Sequence, residues 1–168
     1  IDIYKDYSFF EIDHFEKKYV TIHLDEKWLT KYYYSDFTDI NPTVEQIDLF
    51  IKKIVKTLGY NYNIVITTGA KKLDVLKDYT KDFEQIDKNK YEKKINNNKI
   101  IFINDCSFND LEAIIKNTSF LICCEGGVSH VSHNMNIKII DFFEKNRLQH
   151  THFWTSHMNN LTLFERKD

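Results

Sequence analysis

Two adjacent glycines, Gly126 and Gly127, have the setting that most clearly suggests chemistry. They follow an apolar run, Phe120–Cys124, and from Val128 onward apolar residues recur three and four positions apart, as in a helix. A glycine turn between a strand and a helix lets the backbone approach a ligand closely. The exposed N–H groups at the helix start favour an anion such as a phosphate. A tight connection that binds nothing is the alternative interpretation of the same pair.

Two histidines, His130 and His133, fall in the same short predicted helix. A ring N–H of His130, in the first turn, can reach a phosphate oxygen held at Gly127; capping or core packing is the alternative role. The spacing of the two histidines also suggests a metal site, with Glu125 as a further ligand. No second Cys or His cluster at ligand spacing accompanies them, so we predict neither a metal site nor a cofactor.

The order of residues around the glycines resembles the pattern of glycosyltransferase family nine, the ADP-heptose:lipopolysaccharide heptosyltransferases. The matching segment is Glu125, Gly126, Gly127, Val128, Ser129, His130, Val131 and Ser132. Those enzymes have Asp-Ser/Thr-Gly-Pro-x-His-Leu-Ala at the end of a strand in their C-terminal half. Here Glu125 replaces the usual Asp, Gly126 replaces Ser or Thr, and Val128 replaces a common Pro. Upstream, residues 107–116 resemble the family's Leu-x-Glu-Leu-Ala-x-Leu helix.

The resemblance implies a nucleotide-sugar-binding site made of residues 125–130 together with a lysine. Glu125 would hydrogen-bond a ribose or sugar hydroxyl, or cap the helix, and His130 would contact a phosphate. The family has a Lys before an aromatic residue in the loop after the first strand of this domain, where it reaches the donor phosphate. Both Lys27 and Lys31 match this position, and we favour Lys27. A cation there offsets pyrophosphate charge as the sugar bond breaks. No catalytic residue is assigned.

The elements that position these residues alternate between strand and helix along residues 18–168, which indicates an α/β, Rossmann-like parallel sheet flanked by helices. The predicted strands are residues 19–24, 62–68, 99–103, 120–124 and 137–143, with a possible short final strand at 161–164. An order of 3-2-1-4-5 places strands 1 and 4 side by side where the winding reverses. Ligands bind outside the carboxyl ends of strands at such a switch point. The loops containing Lys27 and Glu125 follow those two strands.

The predicted helices have recognisable start and stop signals. Asn41 is expected to cap the first helix, with Pro42 in its first turn and Gly59 just past its end. Its inward face is expected to comprise Val44, Ile47, Phe50 or Ile51, Ile54 and Leu58.

Two further segments complete the prediction. Residues 71–85 are expected to form an amphipathic helix, and residues 87–98, rich in Lys and Asn, a solvated connection. Ser107 and Asp110 are expected to form a capping box that opens the next helix. The inward side chains of that helix are expected to be Phe108, Leu111, Ile114 and Ile115.

Length and composition exclude several classes of protein. A chain of 168 residues with a formal charge of −2 and interspersed charges indicates one ordinary domain without a nucleic-acid-binding surface. No apolar run reaches the length of a membrane span and no signal peptide is predicted, although peripheral membrane association stays open. The three cysteines are expected to be reduced thiols, because Cys123 and Cys124 are adjacent in a strand and point to opposite faces. A cytoplasmic location is the expectation.

The resemblance therefore implies a nucleotide-sugar-binding domain over residues 18–168, the C-terminal half of a GT-B glycosyltransferase, with residues 1–17 as a lead-in or linker. It implies transfer of a heptose-like sugar from a nucleotide diphosphate sugar to a saccharide or lipopolysaccharide acceptor. The first residue is Ile1 and not Met, so the sequence is expected to be a fragment. The resemblance implies an N-terminal partner domain outside it that holds the acceptor site and the carboxylate base. The alternatives are a non-catalytic nucleotide-binding module of the same fold, and a metal-dependent hydrolase using His130, His133 and Glu125.

Overall fold

The computed structural model describes residues 17–25, 42–69, 74–124, 126–143 and 147–165. These residues form one sheet of eight strands with helices packed on both faces. Lys27, its alternative Lys31 and Glu125, all predicted for the site, lie outside the described residues, as does the predicted helix cap Asn41.

The strands run through the whole described chain and are numbered in chain order. They are β1 (Tyr19–His23), β2 (Asn63–Thr67), β3 (Glu84–Asp87), β4 (Lys90–Ile95), β5 (Asn98–Ile103), β6 (Phe120–Cys124), β7 (Lys138–Phe143) and β8 (Leu161–Glu165). Their order in the sheet is β3-β4-β5-β2-β1-β6-β7-β8. The parallel block β5-β2-β1-β6-β7 is the predicted order 3-2-1-4-5. The predicted final strand, β8, pairs in parallel with β7. The expected topology is confirmed.

The helices connect these strands across the two faces of the sheet. They are α1 (Val44–Leu58), α2 (Asp74–Tyr79), α3 (Phe108–Asn117), α4 (Gly127–Asn134) and α5 (Leu148–Thr155). No helix of the described residues is both long enough and apolar enough to cross a membrane.

The helix predicted over residues 71–85 is confirmed only for Asp74–Tyr79, and the solvated connection predicted over residues 87–98 is wrong. α2 ends at Tyr79, and the following residues form the antiparallel hairpin of β3 and β4 beside β5. The side chains of β4 are mostly half-buried, so its lysines can reach solvent from within a strand. Tyr91 on β4 packs edge-on against Phe102 of β5, with ring centroids 6.3 Å apart. The turn between the strands uses Asn96 at φ 55°, a left-handed conformation that asparagine tolerates.

α1 begins at a different cap from the predicted one. The Thr43 hydroxyl accepts a hydrogen bond from the Gln46 N–H (3.3 Å), and the Gln46 side chain accepts one from the Thr43 N–H (2.8 Å). This capping box makes Thr43 the N-cap, so Pro42 precedes the cap instead of occupying the first turn. Gly59 follows the helix with φ 64°, as expected. The predicted inward face is confirmed, with Ile47 and Ile51 buried. Val55, which was not predicted, is buried beside them.

α3 begins as predicted. The Ser107 hydroxyl accepts a hydrogen bond from the Asp110 N–H (3.1 Å) and donates one to the Asp110 carboxylate (2.6 Å). The inward side chains Leu111, Ile114 and Ile115 are buried. Phe108 was expected among them and is 61% exposed, because as the first residue of the helix it projects beyond the end of the sheet-facing stripe.

The core has two layers separated by the sheet. One face of the central strands packs against α1 and α2, and the other packs against α3. Tyr19 ties α3 to β1, since its hydroxyl donates to the Ile114 carbonyl (2.7 Å). Burial raises the pKa of that phenol, so the group stays a donor. Cys123 and Cys124 lie in clusters on opposite faces, as the strand period requires.

Candidate functional site

The winding of the sheet reverses at β1 and β6, which lie side by side at its centre. Thr21 is paired with Leu121 and Ile22 with Ile122, in parallel. β2 and β5 lie on one side of this pair, and β7 and β8 lie on the other. The chain enters α4 directly after β6, so the glycine turn stands at the carboxyl edge of the sheet at the predicted switch point.

Gly127, the first residue of α4, has no structural need to be glycine. It is exposed, and a Cβ built on it would meet no atom of the described residues within 4 Å. Its φ lies outside the left-handed region, whereas Gly59 has φ 64° and a conformation that other residues adopt rarely. No described residue therefore fills the space in front of the turn.

Ser129 belongs to the turn itself. It is completely buried, its hydroxyl donates to the Gly126 carbonyl (2.7 Å), and the Gly126 N–H donates to the same hydroxyl (3.1 Å). The Gly126 carbonyl also accepts from the backbone N–H groups of Ser129 (3.1 Å) and His130 (3.4 Å). Gly126 itself is extended, at φ 169° and ψ −169°. These bonds hold the turn in shape, and the Ser129 hydroxyl is engaged within it.

The amides of Gly127 and Val128 remain available for a ligand. They occupy the first two positions of α4, where backbone N–H groups have no intrahelical acceptor. The side chain of Val128 is half-buried against Leu121, Cys123 and Ile139, so it anchors the helix start to the sheet. The positive end of the helix dipole adds to the field of these two amides, an arrangement that suits an anion.

His130 lies beside two other imidazoles. Its ring stacks with that of His157, at 5.6 Å between centroids and 23° between planes. The ring of His157 also meets His133 edge-on, at 5.2 Å and 81°. His133 is held in turn by Asn160, with 2.6 Å between its Nδ1 and Asn160 Oδ1. We call His130, His133 and His157 the histidine cluster.

Within the described part of the chain, no group of three or more His, Cys, Asp and Glu is arranged to hold a metal ion. Cys106 follows β5 at the carboxyl edge of the sheet. Its backbone N–H donates to the Thr68 carbonyl (3.0 Å). Burial, and then the charges of Asp110 and Asp105, raise the pKa of this thiol to about 12. It is neutral at pH 7 and therefore unsuited to act as a nucleophile.

The carboxyl edge contains polar residues that were not singled out in the sequence. The buried His23, at the end of β1, shares a hydrogen bond of 3.0 Å with the Thr67 hydroxyl of β2. On β7, Asp141 is completely buried, with apolar residues on either side of it in the strand. An acidic residue interrupting Ile139 to Phe143 was a visible signal, because a buried carboxylate is costly unless its surroundings compensate it. His157 had no local signal, since its contacts depend on how the turn after α5 packs.

A cavity of about 470 Å³ lies at the opposite, amino edge of the sheet. It is formed by the end of α1 and the β4–β5 turn, and its lining residues are Lys52, Val55, Lys56, Gly59, Ile95 and Asn96. It is separate from the glycine turn, so it provides a reference surface for binding experiments.

Solved structures similar to this chain share its fold. The solution structure of ALG13 matches with a TM-score of 0.58 and 13% identity, over 90% of this chain and 80% of that one. A glycosyl transferase family 9 protein from Veillonella parvula matches with a TM-score of 0.55 and 13% identity, over 90% of this chain. A UDP-GlcNAc 2-epimerase from Methanocaldococcus jannaschii, solved in complex with UDP-GlcNAc and UDP, has a TM-score of 0.52 and 16% identity over 89% of this chain.

At these identities the likeness shows the fold, a Rossmann-like α/β domain of the GT-B type, and the predicted fold class is confirmed. The chain spans 36% of the Veillonella protein and 35% of the epimerase. No family model matches the sequence, and no curated protein does.

Proposed function

We propose that the chain is the donor-binding domain of a glycosyltransferase and that the diphosphate of a nucleotide sugar binds at the start of α4. The proposal rests on the presence of a glycine, Gly127, at the first position of α4. Neither its backbone conformation nor its packing against the described residues demands glycine, yet it begins a helix at the switch point, where no described atom lies within 4 Å of a Cβ built on it. A ligand that needs close contact with the backbone accounts for a glycine there.

The proposed phosphate contacts follow from the turn. The amides of Gly127 and Val128 donate to phosphate oxygens, with His130 as a side-chain donor one turn along the helix. Gly126 and Ser129 act by holding the turn in shape through their mutual hydrogen bonds. Lys27 and Glu125 are proposed as a phosphate contact and a ribose or sugar contact, on the family-nine pattern alone.

The fold of the solved neighbours supports a nucleotide sugar as the ligand. One neighbour is a family 9 glycosyl transferase, and another was solved in complex with UDP-GlcNAc and UDP. The family-nine pattern in residues 125–132 favours a heptose-like sugar and a saccharide or lipopolysaccharide acceptor. The acceptor site and the catalytic base are proposed to lie in a partner domain, because the chain spans about a third of the similar transferase.

Calorimetric titration tests this proposal. ADP and UDP should bind in the presence of EDTA, whereas the corresponding nucleosides should bind much more weakly, because the proposed contacts are to phosphate. The helix start and Lys27 supply the positive field, so chelation should leave the affinity unchanged. A strict requirement for a divalent cation would contradict the proposed mode of binding and favour the hydrolase alternative. Equal affinity for nucleosides and their diphosphates would place the contacts elsewhere.

A further inference from the structure

The turn between α5 and β8 brings His157 into the histidine cluster from a distant part of the sequence. His157 is itself exposed, but its ring is placed against both histidines of α4. It lies nearly parallel to His130 and nearly perpendicular to His133. Both are offset-stacked or edge-on geometries that aromatic rings favour at centroid distances of about 4.5–7 Å.

A series of hydrogen bonds fixes the far side of this cluster. The side-chain amide of Asn160 donates to the Ile137 carbonyl (2.5 Å), which turns its oxygen towards His133. An amide oxygen only accepts, so His133 Nδ1 carries the proton and donates across the 2.6 Å contact. The ring of His133 is thereby held in one orientation, and it provides a fixed surface against which His157 rests.

The ring of His157 then covers one face of His130. Without that contact, the half-buried side chain of His130 would be free to adopt other rotamers on the surface of α4. A side chain that is already ordered loses less entropy when it binds a ligand. The support therefore runs from Asn160 through His133 and His157 to His130.

We propose that His157 is a positioning residue of the donor site, which holds the His130 imidazole for contact with the donor phosphate. This inference rests on the proposed function, since it assigns His130 a phosphate contact. It makes the α5–β8 turn, 30 residues beyond the glycines, a structural part of the phosphate site.

Single and double variants test the proposal by calorimetry with ADP and UDP. His157→Ala should weaken binding about three- to tenfold, the size expected when one side chain must be ordered on binding. His157→Phe keeps a planar ring over His130 and should bind within about twofold of the wild type. In the His130→Ala background, His157→Ala should have no further effect, because its contribution passes through His130. Asn159→Ala, an exposed change in the same turn, is the control.

The outcomes separate this proposal from the function on which it rests. If the wild-type protein binds no nucleotide diphosphate, the proposed function itself fails. If His130→Ala weakens binding but His157→Ala does not, only the positioning role is overturned. Equal losses in His157→Phe and His157→Ala would mean that a ring nitrogen of His157 contacts the ligand directly. A further loss on adding His157→Ala to His130→Ala would also contradict positioning.

Discussion

A substitution at Gly127 can test binding without disturbing folding, because the fold would accept a side chain at this position. A Cβ there meets no atom within 4 Å in the part of the chain that the structure describes. We expect Gly127→Val to abolish nucleotide diphosphate binding, since its branched side chain would occupy the volume proposed for the phosphate. The thermal unfolding midpoint should change little. Calorimetry and thermal unfolding of the same samples measure the two effects.

The matched control for that variant is Asn134→Val, which places the same side chain at the exposed last position of α4. It accounts for the cost of a β-branched residue in this helix, which is typically under about 1 kcal/mol. We expect the control to bind as the wild type does. Normal binding by Gly127→Val would show that the diphosphate does not approach this turn.

The two histidines of α4 are expected to contribute unequally. His130→Ala should remove one phosphate contact to a charged group, worth about 1.5–3 kcal/mol, or roughly a ten- to hundredfold loss of affinity. His133→Ala should weaken binding less, because His133 is hydrogen-bonded to Asn160 and acts through the cluster. His152→Ala, an exposed histidine on α5, is the control. Equal losses at His130 and His133 together with bound zinc would favour the hydrolase alternative.

At the scale of elements, local signals predicted the parallel sheet well. Its central strands are buried and strongly apolar, and each is followed by a turn and a helical period. The β3–β4 hairpin was missed because its sequence is rich in Lys and Glu, and because β3 is exposed and β4 only half-buried, so full burial of one face imposes no apolar alternation. Phe108 was misplaced for a related reason, since helical spacing marks a face without showing where the neighbouring layer ends.

The start of α1 offers a measurement of a single element. Thr43→Ala removes the capping hydroxyl and weakens the reciprocal contact with Gln46, so it should destabilise the fold by about 1 kcal/mol. Thr57→Ala is the control, because the Thr57 hydroxyl donates to the Lys53 carbonyl inside the same helix (2.8 Å) and caps nothing. Chemical denaturation of both variants compares their free energies of unfolding. Equal free energies would contradict the assignment of Thr43 as the cap.

Only part of the candidate site could be predicted from local sequence patterns. The glycine turn and the switch point were predictable, because both follow from the order of strands and the residues after β6. The structural use of Ser129 and the stacking of His157 were not, because they depend on hydrogen bonds and packing between segments that the chain brings together only on folding.

At the scale of the whole molecule, binding and transfer should be separable. Transfer needs an acceptor held in line with the donor and a base near the attacking hydroxyl. We expect residues 1–168 to bind a nucleotide diphosphate but to transfer no sugar, and the same residues joined to an acceptor-binding partner domain to restore transfer. Assays of both proteins with the same donors and acceptors measure this. Robust turnover by residues 1–168 alone would contradict the need for a partner domain.

The most direct measurement of the central claim is an NMR titration of the backbone amides with ADP or UDP in the presence of EDTA. We expect the largest shift changes to fall on Gly127, Val128 and His130, at the start of α4. The cavity at the amino edge, represented by Gly59 and Asn96, should be unaffected and serves as the internal reference. Shift changes centred on that cavity, or none at the start of α4, would contradict a diphosphate site at the switch point.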